Sequence, residues 1–127
     1  MKSRYKILVV DDDERALVLI EAVLKPHGYD VVLINDGRQV IPIARKEKPD
    51  LILLDIMMPG LDGYTVLKTI KKEEAIKNIP VVMVSALGHD GNKAVAGICG
   101  ASAYTTKPIN SKQLIETVAH FLPDSVS

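Results

Sequence analysis

The chain has no net charge to offer: Lys+Arg and Asp+Glu each total 16. No global field draws it toward nucleic acid or an anionic membrane, so any function must sit in a local site. Cysteine is nearly absent. Cys99 stands alone, which excludes an intrachain disulfide and a thiolate metal cage and suits a reducing compartment. Long apolar runs are missing too, since none approaches the ~20 residues that span a bilayer. The start, MKSRYKILVVDDD, offers only Ile7 to Val10 before three aspartates, too little for a signal peptide. A cytoplasmic protein is the expectation. Repeats, low-complexity stretches and linkers are also lacking, so residues 1–127 read as one domain. Its 47% hydrophobic and 25% charged residues suit an ordinary folded core.

What is present is a series of short apolar runs rich in branched residues. KILVV (6–10), DVVLI (30–34), LILL (51–54) and VVMVS (81–85) are clear, and AYTT (103–106) is weaker. Most are unbroken rather than alternating, as strands are when both faces of a parallel sheet are covered. Longer amphipathic segments separate them, which predicts βαβ units and an α/β fold.

The first helix is predicted from about Glu14 to Lys25, capped by Asp13 and closed before Gly28. The third begins after Asp62, with Gly63 in its first turn and Val66, Leu67 and Ile70 facing inward. In the fifth, Asn110 and Gln113 resemble a capping box ahead of a Leu114, Val118, Phe121, Leu122 stripe. Pro42 falls inside the second, where it must kink the helix or delay its start. The fourth, roughly Asp90 to Cys99, contains Gly91 and Gly97 and is a weak helix former.

Chemistry concentrates at the strand ends. Asp11, Asp12 and Asp13 follow the first strand and Asp55 follows the third. Open α/β sheets bind ligands beyond the carboxyl ends of strands, where the strand order reverses. Carboxylates converging there repel one another, and a hard divalent cation such as Mg²⁺ compensates them. Ser85 closes the fourth strand with a hydroxyl, and Lys107 closes the fifth with a compact cation. A carboxylate nucleophile, a metal, a hydroxyl and an ammonium together suit phosphoryl transfer to an aspartate.

VVDDD, LLDIMMPGLDG, VVMVSA and TTKPI, in this order and spacing, resemble the receiver domains of response regulators, the CheY-like family. The match runs from Lys6 to about Leu122. Each motif is weak alone, but four in register at successive strand ends are specific. The resemblance implies a doubly wound, five-stranded parallel sheet, a (βα)5 flavodoxin-like fold with strand order 2-1-3-4-5. It implies that Asp55 is the phosphoacceptor and that Mg²⁺ is bound directly by Asp12, Asp55 and the Met57 carbonyl, with Asp11 holding metal-bound water. Ser85 then contacts the phosphoryl group, Lys107 is the site lysine, joined to Pro108 by a cis bond, and Tyr104 is the switch aromatic. The implied protein is a switch rather than an enzyme. It takes its phosphoryl group from a sensor histidine kinase or a histidine phosphotransfer protein. Its output face, formed by the fourth helix, fifth strand and fifth helix, regulates a downstream protein or an attached domain. No direct contact with nucleic acid or membrane is implied, and the chain is a monomer or a phosphorylation-promoted dimer. Met57 and Leu87 border the expected route of a hydrolytic water, and neither can orient it. Slow loss of the phosphoryl group follows.

Plainer roles compete for some of these residues. Asp13 and Asp62 read as helix caps, Gly60 as a turn residue and Gly63 as a close backbone approach. Cys99 reads as a small core residue, and His27, His89 and His120 as surface residues without ligand spacing. GASA before Tyr104 and Ile109 after the lysine depart from the family's usual acidic residue and Phe. Asp11-x-Asp13 superficially resembles the motif of aspartate-nucleophile phosphohydrolases, but those usually carry Thr or Val where Arg15 stands, and a cap domain besides. A DNA-binding regulator would need a helix-turn-helix segment, and none is visible.

Overall fold

The computed structural model describes residues 4–58, 60–85 and 100–123. The expected fourth helix, roughly Asp90 to Cys99, lies outside them, as do Leu87 and His89. Seven strands lie among the described residues: β1 (Lys6–Val10), β2 (Asp30–Ile34), β3 (Leu51–Asp55), β4 (Met57–Met58), β5 (Leu61–Asp62), β6 (Val81–Ser85) and β7 (Ala103–Thr106). The helices are α1 (Glu14–Leu24), α2 (Val40–Glu47), α3 (Gly63–Lys72) and a C-terminal helix (Ser111–Phe121). None of the helices among the described residues is long and apolar enough to cross a membrane.

Five strands form one parallel sheet in the order β2-β1-β3-β6-β7. β4 and β5 are a separate two-residue antiparallel pair, so the order counted along the sheet strands is the expected 2-1-3-4-5. The unbroken runs are explained by two cores. Leu8, Val10, Ile52, Leu54, Val81 and Met83 face Val40 and Ala44 of α2 and Val66, Leu67 and Ile70 of α3. The alternate residues Ile7, Val9, Leu51, Leu53, Val82 and Val84 face Leu17, Ile20 and Leu24 of α1 and Leu114 and Val118 of the C-terminal helix. Every second side chain feeds one core and its neighbours feed the other. Burying each such Leu or Ile contributes roughly 1.5–3 kcal/mol.

The helix signals hold with small shifts. Asp13 Oδ1 accepts the Arg15 N–H at 2.9 Å, and Asp62 and Asn110 cap α3 and the C-terminal helix in the same way. α1 ends at Leu24, one residue earlier than expected, because Pro26 joins a tight 3-10 turn over Lys25–His27 before Gly28 turns left-handed at φ 91°. α2 starts late, behind a second 3-10 turn (Gly37–Gln39), which leaves Pro42 in the first helical turn, where its missing N–H breaks no intrahelical bond. The Lys107–Pro108 bond is cis.

Candidate functional site

β1 and β3 are direct neighbours, with Val10 beside Leu54, so the next residues, Asp11 and Asp55, emerge side by side. β1 continues to β2 on one side while β3 leads toward β6 on the other, which makes this gap the point where strand order reverses. Asp55 pairs with Val84 and Ser85 with Thr106, so the ends of four strands meet at one edge of the sheet.

Adjacent aspartates divide the work. Asp11 is 1% exposed; its N–H donates to the Ile34 carbonyl, and its Oδ1 accepts the Asp13 N–H at 2.9 Å. Asp12 is exposed. Asp13 is spent as the α1 cap. One carboxylate oxygen from each of Asp11, Asp12 and Asp55 lies within 4.8 Å of the others. Lys107 Nζ reaches Asp11 Oδ2 at 2.8 Å and stands 3.7 Å from Asp55 Oδ2. Its backbone N–H donates to the Ser85 carbonyl, which fastens it to the end of β6.

The charges do not balance within this cluster. Three carboxylates face one ammonium, so full ionisation would leave two negative charges, the complement of a single divalent cation. The strain shows in Asp55, whose pKa is raised from 3.8 to about 7. Burial is the main cause and the Asp11 charge the second, with Asp12 adding to them; Lys107 and the Met57 backbone N–H pull the other way. Burial works against the charge on Lys107. The hydrogen bond to Asp11 and the charges of Asp55, Asp11 and Asp13 outweigh it and hold its pKa above the ordinary value. An all-oxygen donor set with surplus negative charge fits a hard divalent cation.

The loop after β3 is built to stay close. Gly63 N–H donates to the Ile56 carbonyl at 2.8 Å, and a Cβ at Gly63 would lie 2.6 Å from the Asp55 carbonyl oxygen. Only glycine permits that approach. Gly60 turns the β4–β5 pair at φ 71°. Met57 is exposed beside Asp55, and with Asp12, Ile56, Met58, Leu61 and Asp62 it lines an open groove. Sequence reading did not find this groove, because two-residue strands carry no periodicity to detect.

The structure thus gathers Asp11, Asp12, Asp55, Met57, Ser85 and Lys107 at one edge. Ser85 is 1% exposed. Tyr104 is apart from them: it is half-buried on β7 and packs against the core on the α2 and α3 side.

Comparison with known proteins agrees with this geometry. A family model described as the response regulator receiver domain matches residues 7–119. The chain is 42% identical to the response regulator PleD of Caulobacter vibrioides over 113 residues, which are 89% of this chain and 25% of PleD. The chain therefore spans a quarter of that relative's length. It is 34% identical to the protein PilH of Pseudomonas aeruginosa, covering 89% of this chain and 93% of PilH. Among solved structures, the BeF3-activated N-terminal receiver domain of Klebsiella pneumoniae RstA superposes with a TM-score of 0.85 at 34% identity, covering 94% and 99% of the two chains. Vibrio cholerae chemotaxis protein CheY4 gives 0.87 at 27% identity, covering 94% and 99%. With its family matched over almost its whole length and its fold shared with solved receivers, the chain belongs to the response regulator receiver domain family.

Proposed function

We propose that residues 1–127 form a single receiver domain in which Asp55 accepts a phosphoryl group from a phosphohistidine. The donor is a sensor histidine kinase or a histidine phosphotransfer protein, and the setting is the cytoplasm. One observation carries the reading: Asp55 is only 4% exposed at the end of β3, yet stands against Asp11 and the Lys107 ammonium. An Asp55 carboxylate oxygen attacks phosphorus, the phosphorus–nitrogen bond breaks, and the imidazole leaves with the bonding electron pair. Lys107 lies where it stabilises charge on the transferring oxygens, and Ser85 presents its hydroxyl from the next strand end. Asp12, Asp55 and the Met57 carbonyl would hold Mg²⁺, with Asp11 on its water, and the ion would supply charge neutralisation to the phosphoryl oxygens. Phosphorylation then changes the face formed by β7, the C-terminal helix and the fourth helix expected from the sequence. That face regulates a partner or an attached domain, with the chain a monomer or a phosphorylation-promoted dimer.

Acetyl phosphate with Mg²⁺ should add one acid-labile phosphoryl group, read by intact-mass spectrometry, and Asp55→Asn should abolish it. Undiminished labelling of the variant would overturn the assignment. Multiple turnovers on small phosphoesters would instead favour a phosphohydrolase.

A further inference from the structure

The chain contains four methionines, and three of them fall among the described residues. Their environments differ sharply. Met83 is fully buried in β6 and Met58 is 7% exposed within the same core, whereas Met57 is 60% exposed. Met57 is also held in place. Its backbone pairs with Asp62 across the short hairpin, its N–H hydrogen-bonds the Asp55 carboxylate, and its side chain lines the groove that contains Asp12.

An exposed thioether is oxidised readily, whereas one packed in a core is shielded from reagents in water. We propose that Met57 is a modification site at which a peroxide-class oxidant forms methionine sulfoxide and thereby shortens the lifetime of the phosphoryl group on Asp55. The second half rests on the phosphoacceptor role given to Asp55 above. In the oxidation, a sulfur lone pair attacks one peroxide oxygen and the oxygen–oxygen bond breaks. The departing hydroxide takes up the proton of the transferred oxygen and leaves as water. Sulfur is oxidised by two electrons and hydrogen peroxide is reduced to water.

The consequence is local. As a thioether, Met57 presents apolar surface toward the groove and accepts hydrogen bonds only weakly. The sulfoxide oxygen is a strong acceptor on the same flexible side chain. It can hold a water beside Asp55, where attack on phosphorus needs one placed in line.

The test uses the whole chain treated with hydrogen peroxide and mapped by peptide mass spectrometry, which separates Met57 from Met1, Met58, Met83 and Cys99. Met57 should gain oxygen well before Met58 and Met83. Protein oxidised at Met57 and then phosphorylated with acetyl phosphate should lose the phosphoryl group roughly threefold faster or more. Met57→Leu, compared with and without peroxide, should show no such acceleration. Equal oxidation of Met58, or an unchanged lifetime in protein oxidised at Met57, overturns the proposal. Equal acceleration in Met57→Leu overturns it too, by assigning the effect to another residue. Absence of phosphoryl uptake before any oxidation would instead defeat the phosphoacceptor reading, while the oxidation map would still stand or fall alone.

Discussion

Asp55 shows what a strand-end carboxylate gives up when it is placed beside two others. Its raised pKa means that the folded chain binds a proton more tightly than the unfolded chain between 3.8 and about 7. The stability gained from that proton is complete below the unfolded value and is lost as pH rises through the window to about 7. Without divalent cations, the wild type should therefore lose stability between about pH 4 and about pH 7. Asp55→Asn cannot ionise, so it should be the more stable form at about pH 8, by on the order of 1–3 kcal/mol, with the gap closing toward about pH 4. Urea denaturation with a chelator present reads both quantities, and Mg²⁺ should narrow the gap at the higher pH. A constant difference across the range would mean that the Asp55 proton is not what distinguishes the two proteins. The aspartates were legible in the sequence, and so was the capping role of Asp13. Nothing in the string Asp11, Asp12, Asp13 says that the first is buried on Lys107 while the second is exposed.

Elements were legible wherever a run was long enough to carry a pattern. β1, β2, β6 and β7 match the apolar runs residue for residue, because each must fill two cores at once. Pro42 revealed the late start of α2 but not the 3-10 turn that absorbs it. The β4–β5 hairpin was not foreseen, since its strands have two residues each. What fixes that hairpin to the site is the start of α3. Asp62 caps the helix by accepting the Tyr64 N–H, and Gly63 slides under β3 against the Asp55 and Ile56 backbone. A methyl group at Gly63 would meet backbone atoms at 2.6–2.8 Å, which cannot rotate away as a flexible side chain would. Gly63→Ala should cost about 1–3 kcal/mol and slow phosphoryl uptake, because relief requires α3 to retreat from Asp55. Chemical denaturation and acetyl phosphate labelling measure the two effects. A loss below about 0.5 kcal/mol, within the range of an ordinary surface change, would show that α3 does not press on the site as described.

At the scale of the whole molecule, the sheet joins an inner set of strands to two outer ones. Among the described residues β1, β3 and β6 each have a strand on both sides, whereas β2 pairs only with β1 and β7 only with β6. The site's cation sits just beyond the β7 edge: Lys107 follows β7, is tied through its N–H to Ser85, and points its ammonium at Asp11 and Asp55. A phosphoryl group on Asp55 offers new acceptor oxygens to Lys107 and Ser85. Any adjustment of those two residues passes directly into the β6–β7 ladder, where Ser85 faces Thr106 and Met83 faces Tyr104. By contrast, α1 is pinned by Leu17, Ile20 and Leu24 in the core on the other side of β1. Outer strands move at lower energetic cost than inner ones, and β7 is the outer strand that leads into Lys107, so it should respond first. Beryllofluoride with Mg²⁺, standing in for the phosphoryl group, should therefore change amide hydrogen exchange across Ala103–Thr106 and Lys107 more than in α1 or α2. In Lys107→Ala the response of β7 should shrink even where beryllofluoride still binds, because the link from the site to the edge has been cut. A response concentrated in α1 and α2, with β7 unmoved, would place the output surface on the opposite side of the molecule.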